Sequence, residues 1–240
     1  MREMVRDYVC VDLETTGCQS KWSKIIEIGA VKVRDGKVVD TFSRLINPGI
    51  HVPEYITELT GITDDMVMNE EGIEIVMPAF LDFAGDDILL GHNIRFDYGF
   101  LKQNAENLRL SFDRECIDTL KISRAVHKEL ESRSLENLCR YYDIIDENHH
   151  RAFNDADVTS KLYLILMDKF GKEHPELFTS SKMEMKVKKL QPITARQVKY
   201  IKDLCKYHNI EMDFEPEKLS KNEASRKIDK ILSEKGRILY

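Results

Sequence analysis

Residues 8–17, YVCVDLETTG, decide how the rest of the chain is read. Tyr8, Val9, Cys10, Val11 and Leu13 are the apolar and β-branched residues of a central strand. Asp12 and Glu14 interrupt them with two carboxylates, which are costly to bury unless something pairs with them. Residues two apart in a strand share a face, so both acids project together. They do so at the strand's C-terminal end, where open α/β sheets place ligands. Either they cap the Thr15-Thr16-Gly17 turn, or a cation sits between them.

Two further strands follow, IIEIGAVKVRDG (25–36) and KVVDTFSRLINP (37–48), with Asp35-Gly36 between them as a hairpin signal. Helical patterns are expected around 56–63, 74–84, 96–108, 119–130, 134–144 and 154–170, with a buried parallel strand in DDILLGHN, 86–93. Three meandering strands followed by alternating helices and strands predict an α/β fold, a mixed sheet flanked by helices. From 171 the periodicity fails and Gly, Pro, Ser and Lys accumulate. The predicted organisation is a first domain over 1–171, a linker over 172–192 and a small helical module over 193–240. Ser220 with Glu223 three residues on has the pattern of a capping box opening the module's last helix.

Of 240 residues, 42% are hydrophobic and 32% charged, as expected of a soluble globular protein. No run of apolar residues is long enough to span a membrane, and the charged N-terminus lacks a signal-peptide core. Five scattered cysteines without a CxxC pair fit reduced thiols in the cytoplasm rather than a zinc site. The net charge is −6, yet residues 182–206 hold eight Lys and Arg against Glu184 and Asp203, leaving −12 on the remainder. An acidic body with a basic segment can bind a polyanion when divalent metals offset its carboxylates. A solvated helix face plus linker is the plainer reading of the same run.

Two more acids join the first pair. Asp97 follows the buried strand at the start of a helix, where Asp is also common for dipole reasons alone. Asp155 lies three residues before Val158 and seven before Leu162, on the core-facing stripe of its helix, so it needs a partner. Asp157 falls on another side of that helix and reads as an ordinary solvent-facing acid. Four carboxylates near the ends of separate elements suit two hard divalent cations, Mg²⁺ or Mn²⁺, bound through oxygen.

The stretches DLETTG, GHNIRFDYGFL and HRAFNDADVT resemble, in order and interval, the three Exo motifs of the DEDDh (DnaQ-like) 3′–5′ exonucleases. The likeness is to the proofreading, epsilon-type subunits and domains of bacterial DNA polymerase III and covers about residues 6–170. It implies a ribonuclease H-like fold, metal ligation by Asp12, Glu14, Asp97 and Asp155, and His150 as general base. The sister group carries a tyrosine four residues before the last Asp; here that position is Arg151. His149 adjoins the motif at a spacing one residue too long. Five residues of helix turn through 140° net, so His150 belongs on the loop before the helix rather than on it. Histidine suits the task because its pKa lies near neutrality.

The resemblance also implies substrate contacts. Thr15, Thr16 and Gly17 match the turn that receives the 3′-terminal nucleotide, and Gly17 lets backbone approach a sugar. Leu59 and Thr60 match a wedge between the last bases, while His92, Asn93 and Phe96 line the pocket. The expected function is a two-metal 3′–5′ exonuclease releasing nucleoside 5′-monophosphates from single-stranded DNA ends, with proofreading or repair as its setting. Its expected partners are nucleic-acid 3′ ends and a DNA polymerase acting in trans, with no membrane. RNA trimming in the manner of oligoribonuclease or ribonuclease T is one alternative. A non-catalytic nucleic-acid-binding or polymerase-docking protein is another, disfavoured because all four acids and the histidine are present.

Overall fold

The computed structural model describes residues 3–145, 151–189, 191–212 and 214–238. Residues up to Val187 form one unit and those from Lys188 a second. The first unit is built on a six-stranded sheet ordered β3-β2-β1-β4-β5-β6. Its strands are β1 Tyr8–Thr15, β2 Ile25–Arg34, β3 Lys37–Leu45, β4 Leu89–Gly91, β5 Glu115–Asp118 and β6 Ser181–Lys182. Pairing is antiparallel for β1/β2, β2/β3 and β5/β6, and parallel for β1/β4 and β4/β5. This is the mixed sheet flanked by helices that the pattern predicts. Asp35 and Gly36 both have positive φ (48° and 75°), the two-residue turn that matches the twist of an antiparallel pair.

Strand alternation divides the core. Val9, Val11 and Leu13 of β1, with Ile28 and Ala30 of β2, pack against α3 (Ile73–Ala84) and α4 (Arg95–Leu108). Tyr8 and Cys10, with Val31 and Val33, pack on the opposite face against α5 (Thr119–Val126), α6 (Leu135–Tyr141) and α7 (Ala152–Phe170). Asp12 and Glu14 continue the Tyr8–Cys10 series and therefore face α7. The short helices α1 (Glu54–Thr60) and α2 (Asp64–Val67) close a third cluster around Ile26, Val52 and Ile62.

Several boundaries differ from expectation. The strand read over 86–93 contracts to Leu89–Gly91, and β5 has no counterpart in the pattern reading. Its four residues, ECID, offer only two apolar side chains between two acids. The stretch 172–192 is not all linker. Pro175–Phe178 form a 3₁₀ turn that buries Phe178 completely, and Ser181–Lys182 pair with β5 as the last strand of the sheet. Met183 and Met185 pack against the first core cluster.

The second unit consists of α8 (Ala195–Tyr207), a 3₁₀ turn at Pro216–Lys218, and α9 (Lys221–Lys235). Both helices open with capping boxes, Thr194 with Gln197 and Ser220 with Glu223. Ile201, Cys205 and Ala224 make a small core, joined by Ile193, Phe214 and Ile228. The Gln197 amide ties the helices together, donating to the Lys221 carbonyl at 2.9 Å and to Ser225 Oγ at 3.0 Å.

Candidate active site

One carboxylate oxygen from each of Asp12, Glu14 and Asp155 lies within 4.8 Å of the others. Asp12 and Glu14 are half-buried, and Asp155, in the first turn of α7, is 8% exposed. Asp97 enters from the opposite side of the sheet. It is buried in the first turn of α4, and its Oδ1 accepts the Leu13 N–H at 3.1 Å, between the two acids of β1. Of the neighbouring charges, Asp97 acts most strongly on Asp12, ahead of Asp155 and Glu14. The structure thus brings the four predicted carboxylates together.

Their electrostatics are those of acids crowded out of water. Burial, then the charges of Asp97, Asp155 and Glu14, push Asp12 well above the usual carboxylate range. Burial, then Asp155 and Glu27, raise Glu14 to about 8. Burial raises Asp97 to about 8 despite backbone N–H groups that favour its charge. Arg151, whose charge acts on Glu14, already serves Glu27 through two hydrogen bonds, at 2.7 and 3.1 Å. Close oxygen donors with a surplus of negative charge are the donor set that hard divalent cations take. The residues fit the metal that the sequence calls for.

Glu27 is the residue that pattern reading missed. It sits on β2 directly across from Glu14 and is 1% exposed. Besides holding Arg151, its Oε2 accepts the Ala152 N–H at 3.1 Å, so it caps α7 from another strand. Arg151, the residue at the cap position, makes no side-chain cap bond of its own. Two residues along β2, Gly29 lies against the same helix end. A Cβ built there would stand 2.0 Å from Phe153 N and 2.1 Å from Ala152 C. Glu27 and Gly29 together fix the helix start that carries Asp155. A lone acid inside IIEIGAV was a signal of the same kind as Asp12 within YVCVDLE.

The two halves of this clamp should cost different amounts to break. Arg151→Ala leaves the buried Glu27 carboxylate without its counter-charge and should destabilise the fold by about 3–5 kcal/mol. Glu27→Gln leaves a guanidinium that is 39% exposed and can turn to water, so about 1–2 kcal/mol is expected. Urea unfolding of the metal-free protein checks the order; a larger loss for Glu27→Gln would contradict it.

The remaining predicted residues fall around this centre. Thr15 Oγ1 donates to the Gly17 carbonyl at 2.8 Å, and Thr16 Oγ1 accepts the Lys24 N–H at 2.9 Å. Gly17 has φ 153°, and a Cβ there would stand 2.9 Å from Ser23 Oγ and 3.2 Å from Tyr55 OH. Leu59 projects outward, 52% exposed, whereas Thr60 is buried with its hydroxyl donating to the Ile56 carbonyl. Asn93 and Phe96 line a groove of about 290 Å³ with Cys18, Ser20 and Met185. His92 differs: its two ring nitrogens engage Thr119 Oγ1 and the Arg133 carbonyl, each at 2.9 Å. Both are used inside the protein, which makes His92 a fastener of its loop. Asp157 is paired with Lys161 at 2.7 Å. His150 and His149 lie outside the described residues.

A family model described as Exonuclease matches residues 9–163. The DNA polymerase III PolC-type of Clostridium perfringens is 40% identical over 167 residues. That match takes in 70% of this chain but only 12% of the polymerase. A structure of exonuclease X in complex with 5′ overhanging duplex DNA is 26% identical, with a TM-score of 0.57, covering 71% of this chain and 97% of that one. The nuclease domain of 3′hExo, a DEDDh family member bound to rAMP, shares the fold at 20% identity, with a TM-score of 0.61 over 74% of this chain and 98% of its own. With the acidic centre in place and the family model spanning most of the chain, the protein belongs to the exonuclease family, as a member of its DEDDh (DnaQ-like) type.

Proposed function

We propose that the protein removes nucleotides one at a time from the 3′ end of single-stranded DNA, releasing nucleoside 5′-monophosphates, in proofreading or repair. The observation that carries this reading is the meeting of Asp12, Glu14 and Asp155 within 4.8 Å, with Asp97 hydrogen-bonded beside them. In this reading the four carboxylates hold two divalent ions, Mg²⁺ or Mn²⁺. When bound, such a pair supplies Lewis acidity toward an attacking water and the departing 3′-oxygen. His150, on the chain leading into α7, takes the proton of the attacking water. Thr15, Thr16 and Gly17 receive the terminal nucleotide, Leu59 on the shelf ending at Thr60 separates it from the next base, and Asn93 and Phe96 border the groove beyond. His92 contributes by holding its loop.

The PolC relatives support a DNA polymerase as working partner. The cysteines, none of them in a disulfide among the described residues, suit a cytoplasmic setting; among the described residues no helix is long and apolar enough to cross a membrane. Digestion of 5′-labelled single-stranded DNA, RNA and mismatched duplex should give a ladder shortening stepwise from the 3′ end of the DNA. A chelator should stop it, and Mg²⁺ or Mn²⁺ should restore it. Cleavage undiminished by chelator would overturn the metal reading, and faster trimming of RNA would transfer the activity to RNA.

A further inference from the structure

The two helices of the second unit differ in how their cations are interrupted: α8 holds four Lys and Arg against one acid, α9 five against three. Residues 188–240 carry thirteen Lys and Arg against eight Asp and Glu, a surplus of five within a chain whose net charge is −6. On the outward side of α9 Arg226 and Lys230 alternate with Asp229 and Glu234, Lys221 and Lys235 stand exposed at the two ends, and Lys230 approaches Glu234 at 3.9 Å. That is an ordinary solvated helix face.

The outward side of α8 is different. Arg196, Lys199, Lys202 and Lys206 are all exposed, on the side away from buried Ile201, Leu204 and Cys205. At 3.6 residues per turn the four occupy about a third of the circumference. Asp203 is the one acid on the helix, and Lys202 reaches Glu217 at 2.6 Å. Next to Arg196 and Lys199, with Asp203 on its wall, a groove of about 520 Å³ is lined by half-buried Tyr200 and by Ile228 of α9. A row of cations spaced along one helix face, with an aromatic ring beside it, is the combination that takes the phosphates and bases of a single strand.

We infer that the second unit is a tether for single-stranded nucleic acid, in which Arg196, Lys199 and Lys206 meet successive phosphates and Tyr200 stacks on a base. The inference rests on the exonuclease reading for its choice of ligand, and it adds a second contact to the strand outside the acidic centre. A strand long enough to reach the tether would then be held more tightly than a short one, with no change in the hydrolytic step.

The test uses the full chain in chelator, so that nothing is cleaved. Binding of a long 5′-labelled oligothymidylate is followed by fluorescence anisotropy between about 50 and 200 mM salt. The triple variant Arg196→Ala, Lys199→Ala, Lys206→Ala changes only exposed side chains and should fold. Its log K against log salt slope should fall by about 2, the amount for three lost contacts to a single strand. Tyr200→Leu, which keeps an apolar side chain in the groove, should weaken binding about tenfold with the slope unchanged. Turnover of a dinucleotide with Mn²⁺ should be the same in all three proteins. An unchanged slope in the triple variant, or unchanged affinity in Tyr200→Leu, would overturn the tether. If the wild type hydrolysed no nucleic acid while the slopes still separated, the exonuclease reading would fall and the tether would stand.

Discussion

Replacing Asp155 by Asn is expected to lower hydrolysis by about 10³-fold or more, while making the metal-free protein harder to unfold. The loss follows from removing one of the carboxylates proposed to hold the metals, whose Lewis acidity would be worth several kcal/mol in the transition state. The gain follows from repulsion. Asp155 is the strongest charge acting on Glu14 and the second strongest on Asp12, and both are driven upward by it. A neutral amide in its place relieves two neighbours at once. Thermal unfolding in chelator should move up by roughly 2–4 °C, the shift that about 1 kcal/mol produces in a domain of this size. Calorimetry should show weakened metal binding in the same variant. His150→Ala is the counterpart, leaving metal binding intact while slowing hydrolysis by about 10²–10⁴-fold. His149→Ala should cost little. Full activity in His150→Ala would remove it as the base, and tight metal binding by Asp155→Asn would remove Asp155 as a ligand.

Gly29→Ala should be the most damaging single methyl in the first unit. The added carbon would overlap the backbone at Ala152 and Phe153, and backbone, unlike a flexible side-chain tip, cannot swing aside. Either β2 bends or α7 lifts. Moving α7 also stretches the Ala152 N–H to Glu27 bond and carries Asp155 away from Asp12 and Glu14. A stability loss of about 3 kcal/mol or more is expected, the upper end of overpacking costs, with activity falling alongside. Gly49→Ala gives the comparison. Gly49 has φ 65° and nothing within 4 Å of a built Cβ, so only backbone strain of about 1–2 kcal/mol should appear. Urea unfolding separates the two, and a Gly29→Ala protein as stable as Gly49→Ala would mean that α7 yields easily.

What could be read from the chain follows the range of each interaction. The alternation of β1 and the Asp35-Gly36 turn are local, and they were legible along with the sheet that they start. Asp155 was legible because a helical stripe exposes an acid that ought not to be there. β5 was not, since a strand of four residues buried between neighbours shows no period of its own. Phe178 and β6 were hidden for a related reason: a single aromatic and two strand residues make no pattern, and only the fold reveals that they close the sheet edge. The Glu27–Arg151 pair joins residues 124 apart, a distance that pattern reading does not cross. The hydrogen bonds of His92 were not legible, because its partners, Thr119 and Arg133, arrive from other elements.

The division of β1 into two faces makes its reading frame a functional property. Core contacts and chemistry are interleaved one residue apart, Val9, Val11 and Leu13 to one side, Asp12 and Glu14 to the other. A single-residue insertion or deletion before Asp12 would turn every later side chain over. Two acids would enter the hydrophobic cluster against α3 and α4, and a valine and a leucine would replace them at the centre. On the proposed roles of these acids, fold and catalysis would fail in the same event, whereas point substitution of either acid need remove only catalysis. The lineage of such a strand can therefore change letter by letter but not in length, and inactive descendants with an intact fold are the easiest for it to produce.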